Sequence, residues 1–165
     1  MRPELILWDW NGTLLDDVEL CVDALNRLLE KHAYPQRYDR DQYRAIFGFP
    51  IEEYYVRAGF DFSRHSFAML AGERHVTGYF DRLLGLGDIY AKSKVELGRR
   101  FMQEEGIDPA RAVMIGDSVH DFEVAQAMGT ACVLQCSGHQ NRQTLAATGA
   151  PVVEDLREAA QLILG

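Results

Sequence analysis

An apolar stretch near the start of the chain, Leu5-Ile6-Leu7-Trp8, runs directly into Asp9-Trp10-Asn11-Gly12-Thr13. An apolar run without alternation, followed by a polar turn, is typical of a parallel strand that is covered on both faces. Asp9 therefore falls at the carboxyl end of the predicted strand. Ligands of open α/β sheets bind at that edge, so this carboxylate is placed for chemistry rather than for packing.

The Asn11-Gly12 dipeptide also permits a second interpretation, a β-hairpin with Asp9 on its rim. A hairpin needs a returning strand, but Leu14 and Leu15 lead into Asp16-Asp17 and then into a helical pattern. The strand-turn-helix interpretation is therefore favoured over the hairpin.

Composition limits the size, partners and location of the protein. The 165 residues allow one well-buried core, and 47% hydrophobic with 25% charged residues is typical of soluble globular proteins. The net charge of −8 and a pI of about 5.1 disfavour nucleic acid and anionic membranes as partners, because both attract basic surfaces. Because Asp9 interrupts the N-terminal apolar run, this run fits neither a signal peptide nor a membrane span. We therefore expect a cytoplasmic protein.

The cysteines and histidines show no metal-binding pattern. Cys21, Cys132 and Cys136 are expected to be reduced thiols. The histidines share no ligand spacing, so each is expected to be a surface or core residue; they are His32, His65, His75, His120 and His139.

Helical periodicity and helix breakers organise the chain up to residue 79. A helix is predicted from Asp16 to Lys31, a second from Asp39 through Phe47, a third from Pro50 to Gly59, and a fourth from Ser63. The many aromatic residues between 43 and 67 are expected to form the core of a small helical unit.

After residue 80, strands and helices alternate, which is typical of a parallel, doubly wound sheet. The predicted strands are Leu83 to Leu86, a run from Ala112 that ends in Gly116-Asp117, Ala131 to Gln135, and Val152-Val153. The predicted helices are Ser93 to Glu105, Phe122 to Met128, Asn141 to Ala147, and Leu156 to Leu164.

Two motifs resemble those of the haloacid dehalogenase-like (HAD) hydrolase superfamily. The segment from Asp9 to Asp16 is similar to its first motif, Asp-x-Asp-Gly-Thr followed by an apolar residue, any residue and Asp. The segment Gly116-Asp117-Ser118-Val119-His120-Asp121 resembles its fourth motif, Gly-Asp-Ser-x-x-Asp. The resemblance implies an α/β fold, a Rossmann-like HAD core of residues 1–14 and 80–165 with an inserted helical cap over 15–79.

The resemblance also implies an activity, the Mg²⁺-dependent hydrolysis of small phosphate monoesters, similar to phosphoglycolate phosphatase-like members. Asp9 would attack phosphorus and form an aspartyl-phosphate that water hydrolyses. Mg²⁺ would be held by Asp9, the backbone carbonyl of Asn11 and Asp117, with Asp121 close by or bound through water.

The third motif of the family is a lysine at the start of the helix before the Gly-Asp strand, for which Lys92 and Lys94 are candidates. The family form Lys-Pro-x-Pro-Glu aligns without a gap onto Lys92, Glu96 and Gly106, although its prolines are absent here. Lys92 is therefore the predicted charge partner of the phosphoryl group.

Three further residues are predicted to contact the substrate or shape its site. Gly12 would allow a close turn over the phosphate, and the Thr13 hydroxyl would fix that turn by hydrogen bonds. Ser118, in the fourth motif, is also assigned to substrate binding. The alternative is that Asp117 or Ser118 is no more than a helix cap, a common role for these residue types.

The chain departs from the family pattern in two places. Asn11 stands where the family has its second aspartate, and an amide cannot act as a general acid or base near neutral pH. The second motif, a Ser or Thr at the end of a strand, has no counterpart between Gly59 and Tyr79. We therefore predict a core that lacks this strand.

These departures leave two alternatives to a phosphatase. One is a catalytically impaired pseudoenzyme of the same fold that binds phosphate or a metal. The other is a receiver-type signalling domain, which also joins an acidic cluster and a lysine on a parallel sheet. The expected partner is a small phosphorylated metabolite, and a sheet edge deprived of its neighbouring strand could also pair two copies into a homodimer.

Overall fold

The computed structural model of the protein describes residues 2–49, 51–61 and 92–165. Its strands are β1 (Leu5–Trp8), β2 (Ala112–Gly116), β3 (Ala131–Gln135) and β4 (Val152–Val153). Its helices are α1 (Val18–Lys31), α2 (Arg40–Ile46), α3 (Ile51–Arg57), α4 (Lys92–Glu104), α5 (Val119–Met128), α6 (Arg142–Ala146) and α7 (Leu156–Leu164), with a short 3₁₀ helix at Pro109–Arg111.

The four strands form one parallel sheet in the order β1-β2-β3-β4. Leu5 pairs with Ala112 and Trp8 with Ile115, so β1 and β2 end side by side. The carboxyl ends of all four strands therefore meet at one edge of the sheet. The predicted α/β class and parallel sheet are confirmed.

Strand β2 is buried along its whole length, as expected for a strand covered on both faces. Because side chains alternate between the faces of a sheet, Met114 packs with Met102 and Met128 from α4 and α5, whereas Ile115 packs on the opposite face with residues of β3, β4 and α7. Two apolar layers thus hold the strands and fix the edge where they end.

Helices α1, α2 and α3 form a helical unit with an apolar core of their own. Two tyrosines, Tyr43 and Tyr54, are almost fully buried in it and meet edge to face at 5.9 Å between ring centroids. The expected aromatic core is therefore present in the described part of this unit. The division of the chain into a core and a cap at residues 14 and 80 stays a prediction.

Helix boundaries follow side-chain caps. Asp39 and Gln42 form a reciprocal capping box at the start of α2, and Asp39 is where the sequence predicts this helix to begin. Helix α5 begins at Val119, three residues before the predicted Phe122, because Ser118 accepts a hydrogen bond from the Asp121 amide and starts the helix earlier. Gly129 ends α5 in the left-handed conformation, φ 82°.

Several sequence predictions fall on other parts of the chain. The helix predicted at Ser63, the strand Leu83 to Leu86 and the gap at the second motif lie outside the described residues. Within the described ranges, no helix reaches the length and apolarity of a membrane span. None of Cys21, Cys132 and Cys136 forms a disulfide, as expected for reduced thiols.

Candidate active site

Three carboxylates converge at the carboxyl edge of the sheet. Asp9 follows β1 and continues its ladder, since its amide donates to the Ile115 carbonyl at 2.9 Å. Asp117 follows β2, and Asp121 lies in the first turn of α5. Oxygen atoms of Asp9, Asp117 and Asp121 all lie within 4.8 Å of one another, and all three residues are buried or nearly so. The structure thus brings Asp9 of the first predicted motif together with Asp117 and Asp121 of the fourth.

The lysine in contact with this cluster is Lys94. Its ammonium group donates to Asp9 Oδ1 at 2.5 Å and to Asp121 Oδ1 at 3.1 Å. Lys94 lies in the first turn of α4, where side chains point back toward the start of the helix and so toward the sheet edge. Lys94, the second candidate, thus makes the contact that is predicted for Lys92. The side chain of Lys92 lies outside the described residues, and its assignment stays a prediction.

Asp121 organises the start of α5. Its Oδ2 accepts from the amides of Asp117 and Ser118, each at 3.2 Å, and from the Ser118 hydroxyl at 2.6 Å. Its other oxygen takes the Lys94 ammonium group. Asp121 therefore orients both Asp117 and Lys94, while Ser118 serves as a helix cap with its hydroxyl engaged. Substrate contact by Ser118 stays a prediction.

The turn after Asp9 packs tightly against Asp117. Gly12 has φ +73°, and a Cβ at this position would collide with the Asp117 carboxylate. Its carbonyl accepts from the Gln135 side chain at 2.6 Å. The Thr13 hydroxyl lies 3.3 Å from Asp117 Oδ1 and 3.5 Å from Asp9 Oδ2, so its single proton can serve only one of them at a time. Gly12 and Thr13 thus lie in the turn as predicted, with the threonine directed at the carboxylates.

Burial and mutual repulsion make the cluster electrostatically unfavourable by itself. Burial, reinforced by Asp121, raises the pKa of Asp117 to about 7. Burial and Asp121 also raise the pKa of Asp9, against the opposing effect of Lys94. Burial acts to lower the pKa of Lys94, but the attraction of Asp121 and Asp9 outweighs it, so the pKa is raised and the lysine is firmly protonated.

Among the described residues, Lys94 alone forms salt bridges with this cluster, through Asp9 and Asp121, so the negative charge of the three carboxylates exceeds the positive charge in contact with them. Mg²⁺ prefers hard oxygen ligands and is held in proteins by one or two carboxylates together with waters. Asp9 and Asp117 end adjacent strands and present such oxygens at the same point, and Asp121 is within reach of both. The residues present therefore fit a divalent cation of this kind. A contribution from the Asn11 carbonyl stays a prediction.

A second polar group lies beside the cluster and includes two residues that sequence reasoning did not place in the site. Asp17 accepts from the Asn11 side chain at 2.8 Å and from the Gly12 amide at 2.9 Å, and its Oδ1 lies 3.0 Å from His139 Nε2. The amide of His139 donates to Asp117 Oδ2 at 2.6 Å. Both side chains are over nine-tenths buried.

The pKa values of Asp17 and His139 are shifted in opposite directions by their contact. Burial acts to raise the pKa of Asp17, but hydrogen bonds from His139, Asn11 and Gly12 outweigh it and hold the pKa below its ordinary value. Burial acts to lower the pKa of His139, and the Asp17 bond with the nearby carboxylates raises it overall. The sequence predicts each histidine to be a surface or core residue outside the site; His139 is buried, but it contacts Asp17 and Asp117. Its one sequence signal is its place just after β3, at the same sheet edge as Asp9.

Comparisons with known sequences find matches to part of the chain. A sequence model described as HAD-hydrolase-like matches residues 89–159. A protein of Pseudomonas savastanoi named "Probable phosphoglycolate phosphatase" is 31% identical over 94 residues, which are 55% of this chain and 58% of that protein. The chain therefore matches less than two thirds of the length of this curated relative.

Solved structures share the fold over nearly the whole chain. A predicted phosphatase from Clostridium acetobutylicum covers 99% of both chains at 19% identity, with a TM-score of 0.63. A protein from Lactobacillus delbrueckii subsp. bulgaricus, provisionally named a phosphoglycolate phosphatase, covers 100% of both chains at 15% identity, with a TM-score of 0.71. These structures show the fold of the chain, and the two motifs and the matched segment are similar to haloacid dehalogenase-like hydrolases, with phosphoglycolate phosphatase-like proteins among the relatives.

Proposed function

We propose that the protein is a Mg²⁺-dependent hydrolase of small phosphate monoesters that works through an aspartyl-phosphate on Asp9. The observation that carries the proposal is the convergence of Asp9, Asp117 and Lys94 at the carboxyl edge of a parallel sheet. Similarity of residues 89–159 to HAD-like hydrolases and the name of the Pseudomonas savastanoi relative support a phosphatase, and the acidic cluster supports a bound cation.

Each residue has a distinct role in the proposed reaction. A carboxylate oxygen of Asp9 attacks phosphorus while the bond from phosphorus to the ester oxygen breaks, so the alcohol leaves and Asp9 carries the phosphoryl group. Water then attacks the same phosphorus, releasing inorganic phosphate and restoring Asp9. Lys94 fixes one Asp9 oxygen and keeps positive charge beside the attacking group. A bound Mg²⁺ would neutralise the charge that the phosphoryl oxygens develop.

At position 11, the site offers no general acid to donate a proton to the leaving alcohol. Asn11 carries no titrating proton, and its amide is already engaged by Asp17. General acid catalysis contributes typically about 10²–10⁴-fold, so turnover is expected to be lower than in an otherwise equal site with an acid at this position. The alcohol must then take its proton from solvent.

The same observation favours a second function, a pseudoenzyme that binds phosphate or a metal without turnover. It shares the Asp9, Asp117 and Lys94 geometry and differs only in whether the chemical step proceeds. A receiver domain has its lysine on a late strand, whereas Lys94 lies on the helix before β2.

A panel of phosphate monoesters that includes 2-phosphoglycolate, assayed with Mg²⁺ and with a chelator, tests the proposal. We expect slow release of phosphate that requires Mg²⁺ and is lost in Asp9→Asn. The matched control is Asp16→Asn, since Asp16 belongs to the same motif but is exposed. Equal rates in the parent and Asp9→Asn would remove the nucleophile role, and Mg²⁺ binding without turnover would favour the pseudoenzyme.

A further inference from the structure

Helix α2 of the helical unit is hydrogen-bonded to the loop that follows β3. Arg44 donates to the carbonyls of Gly138 at 2.6 Å and Cys136 at 3.0 Å, and Arg40 donates to the carbonyl of Ser137 at 3.1 Å. Arg40 and Arg44 are four residues apart and so lie on one face of the helix. Three consecutive carbonyls among residues 136–138 are thus oriented by α2.

His139, the next residue, joins that helix to the catalytic turn. Its Nδ1 lies 3.0 Å from the hydroxyl of Tyr43 on α2, and its Nε2 lies 3.0 Å from Asp17. Phe47 stacks on the imidazole ring at 4.7 Å between centroids. Both ring nitrogens therefore have partners, one on the helical unit and one directly after the first motif.

The partners of His139 lead directly to the reacting groups. Asp17 holds the amide of Gly12 and the side chain of Asn11, which are the two residues that form the turn after Asp9. The His139 amide holds Asp117 Oδ2. A displacement of this one residue would move both the turn after the nucleophile and a carboxylate assigned to the metal.

Packing leaves little freedom at this junction. A Cβ at Gly138 would collide with the Asp117 carboxylate and with the carbonyl of Gly12. A Cβ at Gly12 would in turn collide with the imidazole ring of His139. The turn, the Asp117 side chain and residues 138–139 thus touch at distances that only glycine permits, and close-packed groups transmit displacement rather than absorb it.

We propose that His139 is a positioning residue that transmits the placement of helix α2, through Asp17 and Asp117, to the nucleophile turn and the metal-binding carboxylates. This inference rests on the proposed function for its kinetic consequence, but its structural part does not depend on turnover. It assigns to Tyr43 and Phe47, on the helical unit, a role in the efficiency of a reaction whose atoms they do not touch.

A different role for the same group, a second metal site, is less compatible with its hydrogen bonds. Ligand atoms of Asp17, Cys21 and His139 lie within 4.8 Å of one another. The Asp17 carboxylate, however, already takes bonds from Asn11, Gly12 and His139. A cation there would have to break bonds that fix the turn, so the positioning role is favoured.

The test compares two Tyr→Phe variants in the same aromatic cluster. Tyr43→Phe removes the hydroxyl that bonds His139, whereas Tyr34→Phe removes a hydroxyl that accepts from the Asp61 amide, away from the site. We expect Tyr43→Phe to lower kcat about 10-fold with KM within about 3-fold, because small misplacements of reacting groups cost that much or more. Tyr34→Phe should keep the parent kcat even if it lowers the melting temperature as much as Tyr43→Phe does.

Variants at His139 extend the comparison. His139→Phe keeps a ring against Phe47 but removes both nitrogens, and should lower kcat more than Tyr43→Phe does. His139→Gln keeps a donor for Asp17 and should recover part of that loss. A His139→Gln kcat as low as that of His139→Phe would overturn the transmission through Asp17.

A readout without turnover separates this inference from the proposed function. Amide hydrogen exchange of Gly12 and His139, followed by NMR, should accelerate in Tyr43→Phe and stay at the parent rate in Tyr34→Phe. If the parent hydrolyses no phosphate ester, the proposed function fails, yet this comparison still decides the coupling. Parent-like exchange and kcat in Tyr43→Phe, or equal losses in both tyrosine variants, would overturn it.

Discussion

The side-chain amide of Asn11 donates a hydrogen bond to the Asp17 carboxylate across 2.8 Å. The residue that aligns with the second aspartate of the HAD motif is therefore hydrogen-bonded to a buried carboxylate six residues later. A carboxylate at position 11 would face Asp17 directly, and two like charges at this distance repel each other. The amide at position 11 and the acid at position 17 are best understood as a pair.

Asn11→Asp alone should not raise turnover, and should reduce the free energy of unfolding by about 1–3 kcal/mol, since a buried acceptor loses its donor. Asn11→Asp combined with Asp17→Asn swaps the pair: the amide at position 17 can still accept from Gly12 and can donate to the new carboxylate. We expect turnover about 10-fold or more above the parent in the double variant. Urea unfolding and steady-state kinetics of both variants measure this. A single variant as active as the double would show that the two positions are independent.

Lys94→Ala should lower turnover by about 10²–10³-fold, because it removes the cation that contacts both Asp9 and Asp121. Lys92→Ala, two residues earlier on α4, is the matched control and should stay close to the parent. Initial rates at saturating substrate and Mg²⁺ decide between them. A larger loss in Lys92→Ala would restore the assignment that the sequence alignment favoured.

Asp117→Ala should weaken Mg²⁺ binding at least about 10-fold, since it removes one of the two carboxylates at the adjacent strand ends. Calorimetric titration with Mg²⁺ measures the affinity without any substrate. Asp16→Ala is the control, because Asp16 is exposed. Parent-like affinity in Asp117→Ala would show that the metal assignment is wrong.

Metal-free protein should lose stability as the pH rises from about 4 to about 7. Burial and Asp121 raise the pKa of Asp117 from 3.8 to about 7 in the folded chain. Between these values the folded state keeps a proton that the unfolded state has released, so the free energy of unfolding falls by up to about 1.4 kcal/mol per pH unit. Above the folded pKa this contribution no longer changes.

The comparison that isolates this effect is Asp117→Asn, which has no proton to lose. Urea unfolding with a chelator, at about pH 5 and about pH 7, should show a smaller decline in the variant than in the parent. Adding Mg²⁺ should raise the free energy of unfolding of the parent protein at the higher pH only. Identical pH dependence in the two proteins would contradict the assignment to Asp117.

Gly138→Ala should destabilise the protein by about 1–3 kcal/mol and weaken Mg²⁺ binding, because the added methyl group collides with Asp117 and with the Gly12 carbonyl. Gly149→Ala is a useful contrast. Its φ of +81° makes alanine unfavourable by about 1–2 kcal/mol, but nothing lies within 4 Å of the added atom. Only Gly138→Ala should change the metal affinity measured by calorimetry.

The amino-acid sequence by itself determined the local structure and the acidic half of the site. Apolar runs that end in Asp9 and Asp117 specify parallel strands, and strands that run in parallel bring their ends to one edge. Residues such as Asp39, Asn141 and Gly129 set helix ends because they bond or bend the nearest backbone. These are interactions over a few residues, so their signal is contained in the sequence.

The tertiary structure decided which residues complete the site. Lys92 and Lys94 carry the same side chain and lie two residues apart, so the sequence does not distinguish them. The rotation of α4 against the sheet directs Lys94 to Asp9. Asp17 and His139 are 122 residues apart and meet because β1 and β3 flank β2. Their bond, and the fastening of α2 to the loop after β3, depend on how elements pack, which no local pattern of residues encodes.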